Sequence, residues 1–414
     1  MSEQPLPLMS AWGIEIEYMV VDRESLDVRP IVDEVLRDAV GGTQWVEDVD
    51  DGAIGWSNEL VSHVLEMKCA APVPTLVGLA AEFQRSVGKL QQLLQKRGAC
   101  AMPGGMHPWM DPARETRLWP HESGAIYRAY DALYDCHRHG WANLQSMHIN
   151  LPFADESEFA RLMAAVRLVV PLIPALAASS PVVEQRRTRR LDSRLSFYRS
   201  NATKTPAMAG DVVPEAVFTF DGYKEKVLAP ISAELRAIGA PPELSTRDWL
   251  NARGAISRFD RMAIEIRVTD TQECPRADIA VAAAIGGLVR MLVEQRTSTL
   301  ADQQKWKQSH LVALFKRTIR HGPEALLADE RYVRLFGVAP SEVSTAGQLW
   351  RSCIERDVLA VPRELEEPLE TIVRDGTLAE RLLRALGSEF DRADLQFTWR
   401  RLCHCLAEGR SFLP

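Results

Sequence analysis

Regular structure is unevenly distributed along this chain, and that distribution limits the folds open to it. Runs patterned like strands fall at 13–22, 59–68, 100–106 and 142–151, with helical periodicity at 75–97 and 123–139 between them. A long helix is expected over 156–178, then an arginine-rich loop, another helix near 223–238 and one more strand at 262–269. From Ala277 onward every segment reads as helix joined by polar turns. Strands separated by unequal helices and followed by a helical tail predict an α+β fold with a mixed or antiparallel sheet. A doubly wound parallel sheet fits less well, because no Gly-x-Gly-x-x-Gly turn and no Walker loop follows any strand. The nearest glycine-rich stretch, Pro103-Gly104-Gly105-Met106-His107-Pro108, is too short and has no lysine, so a nucleotide would have to bind by another route. The 414 residues would suffice for two or three domains, but large single-sheet enzymes exceed that rule. The expectation is one catalytic domain over 1–414, with a sheet-containing core at 12–290 and a helical C-terminal part at 291–414.

A formal net charge of −7 argues against a general nucleic-acid binder. The opening ten residues carry Glu3 and lack a basic start followed by an apolar run, so no secretory leader is expected. The most apolar stretch, 168–178, contains Pro171 and Pro174 and is too short to span a bilayer. Seven scattered cysteines form no CxxC pair and suit reduced thiols better than a disulfide framework. The expected compartment is the cytoplasm, with neither nucleic acid nor membrane as partner.

Alternate residues of a strand share a face, so Gly13-Ile14-Glu15-Ile16-Glu17-Tyr18 sets Glu15 beside Glu17 and leaves Ile14, Ile16 and Tyr18 on the other side. Two neighbouring carboxylates disfavour each other's charge unless a cation lies between them, although alone the pair reads as a solvated acidic face. Glu66 ends the apolar run 61–66, where an unpaired carboxylate would be costly, and Glu59 near its start is a weaker candidate. His148 lies in the alternating run 145–150, where a lone histidine is more often structural than a ligand. Glu265 and Arg267 share a face of 263–268, with Asp270 at the strand end, and a plain ion pair explains them equally well. Four strands that each offer such groups are harder to dismiss together. Oxygen ligands with an occasional imidazole suit Mg²⁺ or Mn²⁺, not zinc. ATP would also need cations around its phosphates, and residues 184–199 supply Arg186, Arg187, Arg189, Arg190, Arg194 and Arg199. The first four read as a solvated basic loop, whereas Arg194 stands between the hydroxyls of Ser193 and Ser196.

The Gly-x-Glu-x-Glu-Tyr opening resembles the first catalytic strand of glutamine synthetases. Ile264-Glu265-Ile266-Arg267-Val268-Thr269-Asp270 before an alanine-rich helix resembles their late strand. Residues 171–181, then Thr188, Ser193 and Arg194, are similar to the second glutamate–cysteine ligase family, which includes bacterial carboxylate–amine ligases. The likeness covers 12–290. It implies a glutamine synthetase-like curved antiparallel sheet forming a funnel flanked by helices, with nucleotide entering one end and amino acid the other. Carried over, Glu15, Glu17, Glu66, His148 and Glu265 become metal ligands, and Glu265 and Arg267 the catalytic pair. Arg267 and Arg194 would face phosphate, and Ser193, Arg253 and Arg258 are further nucleotide-binding candidates. Two departures stand out: Asn150 replaces a histidine, and Gln185 and Arg186 stand where a glycine is usual. The implied activity is an ATP- and Mg²⁺-dependent ligase joining a carboxylate, glutamate first among candidates, to an amine through an acyl phosphate. A homodimer is compatible with it. The rival readings are a guanidino-type phosphotransferase on the related sheet and a non-catalytic nucleotide- or amino-acid-binding homologue.

Overall fold

A computed structural model describes residues 5–245 and 250–414. Strand β1 (Gly13–Asp22) is the hub. Around it lie β2 (Asp48–Asp51), β3 (Ile54–Asn58), β4 (Val64–Cys69), β5 (Ala99–Met102) and β6 (Ser146–Pro152). A two-strand hairpin, β7 (Val182–Val183) and β8 (Arg186–Arg187), stands apart, and β9 (Ala255–Arg258) and β10 (Ala263–Asp270) complete the main sheet. The order is β2-β3-β4-β1-β6-β10-β9, with β5 also paired to β1. Every pairing is antiparallel. The sheet is open, with β2 and β9 at its edges, so the α+β antiparallel expectation holds and no barrel closes.

The register explains the two faces. Directly paired residues of antiparallel strands point the same way. Ile14 pairs with Ile149 and Ile149 with Ile266, while Ile16 pairs with both Met67 and Met147, which makes a continuous apolar back. All of these are fully buried. Helices Leu79–Gln95, Glu156–Val169 and Pro275–Val293 cover that back as one core. The last of them is apolar on every side, and all of it except Arg276 and Arg290 is buried. Its small residues admit close neighbours: a Cβ on Gly286 would stand 2.0 Å from the Trp12 ring. The long helix expected over 156–178 is present but interrupted. It passes at Val170–Leu172 into a tighter turn and restarts at Pro174–Ala177, because Pro171 and Pro174 supply no amide donor.

The front face changes character along β1. Glu15 and Glu17 look into a cavity, but Met19 and Val21 further along are buried in a second apolar cluster. The helices Leu378–Leu386 and Arg392–Glu408 build that cluster with Leu382, Leu395, Trp399 and Leu402. The C-terminal part thus covers the far half of the front face. Phe412 is fastened there by Glu273, which accepts from its amide at 3.1 Å, and by Arg381, which donates to its carbonyl at 2.6 Å. Among the described residues no helix is long and apolar enough to cross a membrane.

Three expectations are corrected. The strand expected over 59–68 begins only at Val64, and residues 59–63 form the turn from β3. The strand expected over 100–106 ends at Met102. The strand expected over 142–151 begins at Ser146, after a short helix at His139–Ala142, while β2, β3, β7, β8 and β9 lie outside the expected strands.

Candidate active site

The cavity over the front face measures about 1260 Å³. Its floor is written by the register: Glu17 pairs with Glu66, Glu66 with Ser57, Glu15 with His148, and Asn150 with Glu265. His148 is the centre of a chain of polar contacts. Its Nδ1 donates to Glu15 Oε2 at 3.0 Å and its Nε2 to Ser146 Oγ at 3.0 Å. Ser146 in turn gives Glu17 Oε2 its amide at 2.6 Å and its hydroxyl at 3.1 Å. Glu265 Oε1 lies 3.9 Å from His148 Nδ1. Asn150, at the position where a histidine is usual, donates its amide to Glu15 Oε1 at 3.2 Å.

Two groups of ligand atoms converge. Glu15, Glu66 and His148 each bring one such atom, all within 4.8 Å of one another, and so do Glu17, Glu59 and Glu66. Glu66 belongs to both. Four of the five expected metal residues therefore fall into these groups; the fifth, Glu265, instead faces arginines. Its Oε2 accepts from Arg258 at 3.0 Å and its Oε1 from Arg267 Nε at 2.5 Å. The charges follow from these neighbours. Burial, and then Glu15 and Glu17, push Glu66 up to about 7 despite Lys68 and His148. Burial followed by Glu17 and Glu66 raises Glu59 well above the carboxylate range. Burial opposes charge on His148, but Glu15, Glu17 and Glu265 outweigh it and lift the imidazole to about 9. Burial likewise opposes charge on Glu265, and Arg267, His148 and Arg258 still bring it down to about 2. A front face with this much carboxylate is under electrostatic stress that a divalent cation would relieve.

The expected nucleotide residues divide. Arg258 lines the cavity, bonded to Glu265 and Asp260. Arg194 borders it but is almost wholly buried, its guanidinium on Asp270 and on the carbonyl of Arg267. Arg253 lies elsewhere, forked onto Glu215 at 2.6 and 2.7 Å. Ser193 is buried with its hydroxyl on Thr188 at 2.8 Å. Arg186, Arg187, Arg189 and Arg190 are exposed, outside the cavity, as a solvated loop would be. Sequence reading gave Glu59 too little weight because it treated that residue as part of a strand. It did not weigh Arg261, which reaches Glu15 at 3.7 Å, or the wall of Tyr130, Trp141 and Tyr198.

The fold matches that of two solved structures. It matches the glutamate–cysteine ligase of Francisella tularensis, solved with AMP, at a TM-score of 0.64 and 13% identity, covering 98% of this chain and 90% of that one. It also matches a bifunctional glutathione synthetase of Pasteurella multocida at a TM-score of 0.58 and 11% identity, covering 95% of this chain and 52% of that one. The chain belongs to glutamate–cysteine ligase family 2, whose sequence model matches residues 11–401. An uncharacterized protein of Archaeoglobus fulgidus is 32% identical over 370 residues, 86% of this chain and 98% of its own. A Rubrobacter xylanophilus protein with the provisional name glutamate–cysteine ligase 2-3 is 25% identical over 384 residues, 91% of this chain and 92% of its own. Family and fold together support a carboxylate–amine ligase.

Proposed function

We propose that this protein is an ATP- and Mg²⁺-dependent ligase that activates an amino-acid carboxylate as an acyl phosphate and passes the acyl group to an amine. One observation carries the reading: two carboxylate groups that share Glu66 lie beside the Arg258–Glu265–Arg267 array inside one cavity. The donor set fits Mg²⁺ or Mn²⁺, since it is oxygen-rich with a single imidazole and contains no thiolate. Glu15, Glu66 and His148, the imidazole having given up a proton, would hold one cation and Glu17, Glu59 and Glu66 a second. Bound there, such ions polarise phosphoryl oxygens and screen charge during transfer. The Francisella relative with AMP supports a nucleotide as the phosphoryl source.

The chain's own groups do the rest. Arg267 is oriented by Glu265 and turned into the cavity, where its charge offsets negative charge on the transferring group. Arg258, held by Glu265 and Asp260, offers a second fixed positive charge. Glu17 is kept in place by the Ser146 amide and hydroxyl. Tyr130, Trp141 and Tyr198 line the cavity and would shield an activated acyl group on their side from water. The helical part 291–414 belongs to the same catalytic unit, because its last two helices cover the far half of the front face. The test is incubation with ATP, Mg²⁺, ¹⁸O-labelled glutamate and hydroxylamine. The expected products are a hydroxamate, ADP and ¹⁸O-labelled phosphate. AMP and pyrophosphate would mean adenylation and would overturn the mechanism.

A further inference from the structure

β10 does not run straight through the site. Its pairing with β6 shifts by one residue between Ile266 and Thr269, so Arg267 and Val268 sit in a β-bulge against His148. A bulge bends its strand and re-aims the side chain it carries, and it persists only where the local backbone is held. Here the holding groups are specific. The Arg267 amide donates to Gly254 O at 2.9 Å. The Arg267 carbonyl accepts from both terminal nitrogens of Arg194, each at 3.3 Å. Arg194 Nε donates to Asp270, at the far end of the same strand. Asp270 is fixed through its other oxygen by the Ser179 amide at 2.9 Å and the Ser180 hydroxyl at 2.8 Å. That hydroxyl also accepts from the Arg194 amide at 3.1 Å.

The surroundings are shaped to this arrangement. A Cβ on Gly105 would stand 2.6 Å from the Asp270 carboxyl, and one on Gly254 would stand 2.5 Å from Val268. The glycine-rich 103–108 stretch thus makes room for Asp270. Every nitrogen of the Arg194 guanidinium is engaged, and its side chain is 1% exposed. A buried ion pair of this kind adds little net stability compared with apolar residues of the same size, so stability alone does not account for it.

We propose that Arg194 is a positioning residue, which pins the bulge carbonyl of Arg267 to Asp270 and thereby aims the Arg267 guanidinium into the cavity without touching substrate itself. The kinetic side of this claim rests on the ligase reading above. Arg194→Lys keeps the charge and can reach Asp270, but it lacks the fork that spans two acceptors. With ATP, Mg²⁺, glutamate and hydroxylamine, its kcat should fall by about 10²-fold, the cost of a displaced catalytic group. Nucleotide affinity and melting temperature should stay near wild type. Added to Arg267→Lys, the same change should lower kcat by less than about threefold more, because coupled residues do not add. Losses that multiply, nucleotide affinity that weakens in step with kcat, or an unchanged kcat would each overturn the proposal. If the lysine variant fails to fold, Ser180→Ala loosens Asp270 more gently, and its smaller kcat loss should vanish in the Arg267→Lys background. A wild-type protein inert toward every acid and amine offered would defeat the ligase reading alone. The ¹⁵N-edited Nε–H resonance of Arg267 would still decide the positioning claim, which requires that resonance to move in Arg194→Lys; a fixed resonance would overturn it.

Discussion

One face of β1 passes from Glu15 and Glu17 to Met19 and Val21, and three histidines register how different those halves are. His148 stands among carboxylates and is lifted to about 9. Near the other half His63 donates Nε2–H to the Ala142 carbonyl at 2.7 Å, with no charge to answer it, and burial pushes it down to about 4. His107 donates to Leu26 O at 2.8 Å and is pushed down to about 3 by burial. The side chain is the same and only its neighbours differ. The far half of the face is packed with apolar side chains. The near half gathers carboxylates and arginines around one cavity, the arrangement on which the proposed ligand site rests.

The comparison can be broken most decisively at Glu66. Glu66→Gln should lower turnover by about 10²-fold or more, since it removes a ligand from both groups. It should also raise the melting temperature of the metal-free protein, because a buried carboxylate pressed by Glu15 and Glu17 loses its charge. Mg²⁺ should then stabilise wild type more than the variant in thermal denaturation. A lower melting temperature, or full activity, would make the near half an ordinary surface.

A truncation in the far half should do the opposite. Leu382 is fully buried, and Leu382→Ala should cost about 2–5 kcal/mol in urea unfolding. Well below its melting temperature the variant should keep wild-type kcat and the same shift with Mg²⁺. A changed response to Mg²⁺ would mean that the two halves are not separable.

The smallest effect concerns the histidines of the far half. Their folded values lie below the unfolded one near 6.5, so the unfolded chain binds more protons. Their contribution is therefore complete above pH 6.5 and is lost as pH falls toward about 4 for His63 and about 3 for His107. At pH 5 the loss should be on the order of 2 kcal/mol each, and His63→Gln should remove one share of it. A stability that stays flat between pH 7 and 5 in urea titrations would show that burial does not suppress their charge.

The near half was largely legible because alternation over a central strand is unambiguous. Ile14, Ile16 and Tyr18 had to be buried, so Glu15 and Glu17 had to face the other way. The edges were not legible. Asp48–Asp51 is almost wholly acidic, Ile54–Asn58 is broken by Gly55, and Ala255–Arg258 spans four residues, so none shows a usable period. Glu59 was undervalued because the apolar Leu60 and Val61 beside it mimic a strand. The commitments of Arg194 to Asp270 and of Arg253 to Glu215 join residues 76 and 38 positions apart, and no local pattern carries such pairings.

The place of β1 at the middle of the sheet also sets the order in which the site can form. The contact between Glu15 and His148 closes a loop of 133 residues, and β10 enters later still. Long-range antiparallel closure is slow compared with helix formation. During synthesis the acidic strands β1 and β4 emerge well before the imidazole and arginines that temper them. The charge array proposed for the chemistry is therefore complete only once β10 has joined, well after its acidic strands have been made.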